Sequence, residues 1–193
     1  MYISADVETD GPIPGEFSLL SFGLCVVGTW DGQALGRPTD RGTFYREVRP
    51  ISDRFEQEAL DVNGLNRAEL LRTGADPGLA MSDASEWVLE VSGEGRPVLV
   101  AYPVAFDWSF LHWYFVRYGT SGSPFGFSSC VDIRTYFMAL AGTPADLSGK
   151  ASMPAHLLPS APHTHNALDD AVEQGDLFAN LVEWGARRRR GVA

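Results

Sequence analysis

The sequence predicts an α/β fold in which one mixed sheet of five strands carries helices on both faces. Three strand-like segments joined by short loops precede residue 50, and the texture then turns helical. After that, short apolar runs alternate with amphipathic stretches. Early strands linked by short loops pair antiparallel, whereas strands separated by helices pair in parallel, so the sheet is mixed and the first strand lies near its middle.

The first strand covers residues 2–8, and the turn-forming Gly-Pro-Ile-Pro-Gly follows it. Residues 17–30 read as a long second strand and residues 42–49 as a third. Asp53 and Glu56 have capping-box spacing, which marks a helix start. Asp76 ahead of Pro77 is an N-cap and first-turn pair for a second helix that runs to Ser92 and stops at Gly93. Ala80, Ala84, Trp87, Val88 and Val91 recur at three and four along it, a core-facing stripe without chemistry.

Residues 97–101 (Pro-Val-Leu-Val-Ala) form a wholly apolar run suited to a buried strand. Phe110, Leu111, Tyr114, Phe115 and Tyr118 then mark a helical face, with Asp107 at the junction. Residues 128–131 are a further strand leading into a helix over 132–140 with Asp132 as its cap. Residues 141–162 are rich in Gly, Pro, Ser and Ala and are expected to be a mobile loop. The last helix runs from about Asn166 to Trp184, with Leu168, Ala171, Val172, Gly175, Phe178, Ala179 and Val182 on one stripe. The organisation is one domain over residues 1–186 with a basic tail, 187–193, whose Arg187 to Arg190 receive no site role.

Composition sets bounds. The chain has 193 residues, enough for a core without disulfides or structural metals. Its 45% hydrophobic and 21% charged content is that of a globular protein, and no apolar run approaches the roughly 18 to 20 residues of a membrane span. The opening lacks a basic leader, so no signal peptide is expected. Two distant cysteines, Cys25 and Cys130, indicate buried thiols in a reducing cytoplasm rather than a disulfide framework or a zinc site. A net charge of −10 argues against tight, non-specific binding of long duplex, although carboxylates gathered around divalent cations reverse the local sign.

Side chains alternate faces along a strand, so Asp6 and Glu8 point the same way, roughly 6 to 7 Å apart. They lie at the C-terminal end of the central strand, where mixed α/β sheets place their ligand crevices. Asp107 occupies the equivalent end of the 97–101 strand. If those strands are neighbours, the three acids converge, and an all-oxygen cluster suits Mg²⁺ or Mn²⁺ rather than zinc. Asp170 is a fourth acid about one turn inside the last helix, and His165 just before that helix is a candidate general base. Asp169 is a helix-dipole residue, and spacing to Asp170 selects His165 over His163.

These residues fall into three motifs in order. Asp6, Glu8, Thr9 and Gly11 match DxETxG, Phe106 and Asp107 match an acid after Phe ahead of a helix, and His165, Ala167 and Asp170 match HxAxxD. On them the chain resembles the DEDDh 3′–5′ exonucleases of the ribonuclease H-like superfamily, from Ala5 to Phe178. Pro103 stands where the second motif commonly has Asn, which removes a side chain that would bond the loop or the substrate.

The resemblance implies two-ion hydrolysis with Mg²⁺, or Mn²⁺ in its place. Asp6 bridges both ions, Glu8 and Asp170 help hold one, and Asp107 supports the cluster. His165 deprotonates the attacking water, and Thr9 contacts the terminal nucleotide. It implies single-stranded RNA or DNA 3′ ends, or short oligonucleotides, as substrate, nucleoside 5′-monophosphates as product, and a homodimer as one arrangement. Phe17 and Trp108 are aromatic residues of a kind that stack bases, with packing the commoner role. Two competing functions share the pattern: a binding module that keeps the fold without catalysis, which Pro103 raises, and an endonuclease of the same superfamily. The intact acids and His165 speak against the first, and the spacing from His165 to Asp170 speaks against the second.

Overall fold

In the computed structural model, which describes residues 1–191, strand β1 (Tyr2–Thr9) is buried along almost its whole length. A strand with neighbours on both edges and helices on both faces has no solvent side. β2 (Leu19–Trp30) runs antiparallel to it, with Asp6 opposite Gly23 and Glu8 opposite Ser21. The far edge of β2 is shared between β3 (Leu35–Gly36) and β4 (Thr43–Glu47), both antiparallel to it. On the other side of β1 come β5 (Val98–Ala101) and then β6 (Cys130–Asp132), each parallel to its inner neighbour. The sheet order is β3-β2-β1-β5-β6 with β4 beside β2, so the first strand is central as expected. The sixth strand is the two-residue β3, too short to produce a readable alternation.

The helices are α1 (Gln57–Asn63), α2 (Arg67–Thr73), α3 (Pro77–Ser92), α4 (Val104–Tyr118), α5 (Ile133–Ala141) and α6 (Ala167–Arg189). Asp76 caps α3 by accepting from the Gly78 N–H, and Gly93 ends it with a φ of 53°, which favours glycine. The capping box expected from Asp53 and Glu56 does not form: Glu56 stands at the N-cap of α1 without a side-chain capping bond. The cap that does form nearby is Asn66, which accepts from Glu69 N and starts α2. Asp132 caps α5 through Thr135 N, as expected.

Two departures lie toward the C-terminus. Residues 141–162, expected to be a mobile loop, contain three short 3₁₀ turns, Ala145–Leu147, Lys150–Ser152 and Ala155–Leu157. They are anchored because Met153 and Leu157 are buried against α6 residues. Helix α6 continues past Trp184 to Arg189, since cations suit a helix C-terminus. Arg187 lies 3.6 Å from Glu183 one turn back, and Arg188 stacks over Trp184. The last part of the expected basic tail, residues 192–193, falls outside the described residues. None of the described helices is long and apolar enough to cross a membrane.

The sheet separates two cores, and parity along β1 decides which residue meets which. Ile3, Ala5 and Val7 face a core shared with Met81, Val88, Phe110, Tyr114 and Phe115 of α3 and α4. The even residues face α6: the Tyr2 ring lies 5.0 Å from that of Phe178, Gly175 sits over Ser4, and Asp6 bonds Gln174. Helix α6 therefore runs antiparallel to β1, and its N-terminus arrives over Asp6 and Glu8. Gly23 sets the approach: a Cβ there would stand 2.3 Å from the carbonyl oxygen of Ala167 and 2.5 Å from Leu168 Cα, both backbone atoms that cannot swing aside.

Gly23→Ala is accordingly expected to displace the first turn of α6 and to cost about 1 to 3 kcal/mol, the range for overpacked interiors. Denaturant unfolding measures this, and an unchanged midpoint would show that the helix tolerates a side chain beneath it.

Candidate active site

The C-terminal end of β1 and the N-terminal turn of α6 bring three carboxylates together. One oxygen each from Asp6, Glu8 and Asp170 lie within 4.8 Å of one another. Asp6 is 9% and Asp170 0% exposed. Burial and the neighbouring Asp107, Glu8 and Asp170 charges raise the Asp6 pKa well above the ordinary carboxyl value. Burial, with Asp170 beside it, pushes Glu8 to about 8. Such a set is electrostatically unfavourable when ionised and alone, and its all-oxygen donors fit a hard divalent cation.

Asp170 is held by the chain just ahead of its helix. Thr164 N and His165 N each donate to its carboxylate at 2.8 Å, so the loop folds over the acid. His165 adopts a φ of 59°, sparsely populated for a residue with a side chain. Its imidazole is exposed and meets the His163 ring edge-on at 4.5 Å. Asn166 caps α6 by accepting from Leu168 N and Asp169 N, while Asp169 itself faces solvent.

Asp107 stands apart from the tight group of three. It lies in the first turn of α4, not at its cap, and accepts from Val7 N at 3.1 Å. β5 pairs with β1 only as far as Ser4, so the Val7 N–H would otherwise be an orphan on that edge. Burial pushes Asp107 to about 8, against the pull of its backbone hydrogen bonds, and the Glu8 and Asp132 charges add to the rise. Pro103 precedes α4 and provides no side-chain cap, and the start of that helix is held by Asp132, which accepts from Val104 N at 2.9 Å.

Thr9 is buried, and its hydroxyl donates to the carbonyl of Gly11 at 2.9 Å while Asn63 holds its own carbonyl. Phe17 is buried under Gly11, whose missing side chain leaves room for the ring. Trp108 stacks on His112 at 5.0 Å.

Two side chains at the site carry no motif signal. Gln174, 2% exposed, donates from Nε2 to Asp6 Oδ1 at 2.6 Å and accepts Tyr102 N at Oε1 at 2.7 Å. The backbone N–H fixes which end of the amide faces Asp6. Its sequence trace is a polar residue four positions after Asp170 on an otherwise apolar face, which a stripe count passes over. His163 is the other: its Nδ1 lies 3.1 Å from Asp170 Oδ2, although spacing passed it over in favour of His165.

No family model matches the chain. It is 34% identical over 190 residues to the 3′-5′ DNA exonuclease Cap18 of Escherichia coli, covering 98% of this chain and 95% of that protein. Among solved structures, the nuclease domain of 3′hExo, a DEDDh family member bound to rAMP, superposes with a TM-score of 0.68 at 14% identity over 96% of this chain and 92% of its own. Cell-death related nuclease 4 superposes with a TM-score of 0.67 at 15% identity over 95% of this chain, which spans 64% of that nuclease. At such identities the structural likeness speaks for the ribonuclease H-like fold alone, and the Cap18 match carries the family. The chain belongs to the DEDDh 3′–5′ exonucleases. It is a nuclease of that type, a hydrolase of phosphodiester bonds.

The carboxylates give a measurable pH signature without cation. Glu8 and Asp107 release protons near 4.5 and 3.8 when unfolded but near 8 when folded. Below the lower values both states are protonated. Between there and about 8 the unfolded chain binds fewer protons, so stability present in acid is lost as pH rises. In EDTA the melting temperature is therefore expected to fall from about pH 5 to about pH 8, and added Mg²⁺ to raise it more at the upper end. Thermal unfolding across that range tests both trends. A cation effect equal at the two ends would contradict the cluster's protonation.

Proposed function

We propose that this chain removes nucleotides one at a time from the 3′ end of single-stranded DNA, releasing nucleoside 5′-monophosphates, with Mg²⁺ as its cation and Mn²⁺ able to replace it. The observation that carries the proposal is the convergence of Asp6, Glu8 and Asp170 within 4.8 Å, with the His165 loop folded over Asp170. The choice of DNA rests on Cap18, named a DNA exonuclease. The cytoplasm is the proposed compartment, in keeping with the free thiols of Cys25 and Cys130.

Asp6, Glu8 and Asp170 would hold the cations, and Asp107 would support the set from the α4 side. Two divalent cations, when bound, stabilise the entering and leaving oxygens of an in-line displacement. The protein's own part is positional. Gln174 occupies Asp6 Oδ1, which fixes the plane of that carboxylate and leaves Oδ2 for ligation. Thr164 N and His165 N orient Asp170. His165 would take the proton from the attacking water as its oxygen bonds to phosphorus, while the bond from phosphorus to the 3′ oxygen of the preceding nucleotide breaks and that oxygen takes a proton from solvent. Exposure of the imidazole lets the proton pass to solvent. Thr9, the last residue of β1, would contact the terminal nucleotide through the nearby backbone, its hydroxyl being already engaged with Gly11.

Purified protein and its Asp6→Ala variant, given 5′-labelled single-stranded DNA and RNA with Mg²⁺, Mn²⁺ or EDTA, provide the test. A ladder shortening from the 3′ end, faster on DNA and reduced by at least about a hundredfold in the variant and in EDTA, is expected. Internal cuts would move the assignment to an endonuclease, and faster RNA trimming would reverse the choice of sugar.

A further inference from the structure

His163 belongs to none of the three motifs, yet it stands over the same buried acid as His165. One ligand atom each from His163, His165 and Asp170 lie within 4.8 Å of one another. Among the described residues this group and the Asp6, Glu8, Asp170 group are the two such clusters, and Asp170 belongs to both. They differ in chemistry. Three carboxylates suit a hard cation, whereas two imidazoles and a carboxylate are the donors that zinc-class cations take in three-ligand sites with an open fourth position.

The loop is built in a way that gathers these donors. The Asp170 carboxylate accepts the backbone N–H of both Thr164 and His165, which folds residues 163–165 over it. The left-handed backbone at His165 then brings the two rings into contact, and His163 Nδ1 already approaches Asp170 Oδ2 at 3.1 Å. Tetrahedral zinc needs its ligand atoms about 3.4 Å apart, given bonds of about 2.0 to 2.1 Å. The His163 side chain is 46% exposed, so its ring can close the remaining gap by side-chain rotation without moving the core.

We propose that His163, His165 and Asp170 form a second cation site, selective for zinc or an ion of its class, and that filling it inhibits the nuclease. A coordinated imidazole has donated its lone pair and no longer accepts a proton, and a cation held there competes with the all-oxygen group for the Asp170 carboxylate. Inhibition rests on the assignment of His165 as the base, whereas zinc affinity does not.

The test measures Zn²⁺ affinity by competition with a chromophoric chelator, in a background of Mg²⁺, for the unaltered protein, His163→Ala and His163→Gln. Gln retains a hydrogen-bonding group near Asp170 but not an imidazole. The same three proteins are assayed for 3′ trimming across a Zn²⁺ series, each relative to its own rate in Mg²⁺ alone. Both variants are expected to lose zinc affinity by at least about tenfold, with the half-inhibiting concentration rising in step. Equal zinc affinity in all three proteins, or equal inhibition, would place zinc in the all-oxygen group and overturn the proposal. Absence of Mg²⁺-supported trimming would refute the exonuclease assignment instead, and the affinity series would still read on the imidazole site.

Discussion

Helix α6 lies so close to the sheet that the backbone of its first turn touches the place where a side chain on Gly23 would be. Much of the site follows from that contact. Asp6 pairs with Gly23 across β1 and β2, so the point of closest approach is also the point where the first acid emerges. Asp170, one turn into the helix, is lowered onto Asp6 and Glu8, and Gln174, one turn further, reaches Asp6 from above. Gly175 repeats the close approach beside Ser4. Small residues where the helix crosses the sheet, and carboxylates where it begins, are two aspects of one packing arrangement.

Placing the acids together is electrostatically adverse, and the fold opposes it with hydrogen bonds that engage one oxygen each of Asp6 and Asp107 and both oxygens of Asp170. Gln174 takes one oxygen of Asp6, Val7 N takes one of Asp107, and two backbone N–H groups hold Asp170. These bonds orient the groups, but burial still keeps Asp6, Glu8 and Asp107 raised. A dication bound there would replace protons that the carboxylates otherwise retain, and would relieve their repulsion.

The sequence carried the frame of this arrangement well. Period-two alternation placed Asp6 and Glu8 on one face, and the apolar 97–101 run marked a buried parallel neighbour, both as observed. Local capping chemistry revealed Asp76, Gly93 and Asp132. What did not show was non-local. Gln174 reads as a break in a stripe until Asp6 is seen beneath it. Asp107 reads as one acid of the cluster, and nothing in the sequence shows that it also takes the Val7 N–H, which lacks a strand partner. The anchoring of residues 141–162 depends on Met153 and Leu157, isolated apolar residues whose partners on α6 are remote in the chain. The failed Asp53 cap shows the converse, a local signal that the surrounding structure did not use.

β1 has eight residues and β5 has four. Their pairing stops at Ser4, and the remainder of β1, with both of its acids, projects past the end of its parallel neighbour. The site thus occupies the space of a strand that ends early. A chain that extended β5 by a few residues in register would offer a backbone carbonyl to Val7, evict the Asp107 carboxylate and fill the opening with peptide. In this fold the length of an otherwise featureless apolar strand determines whether there is room for anything at all beside the acids.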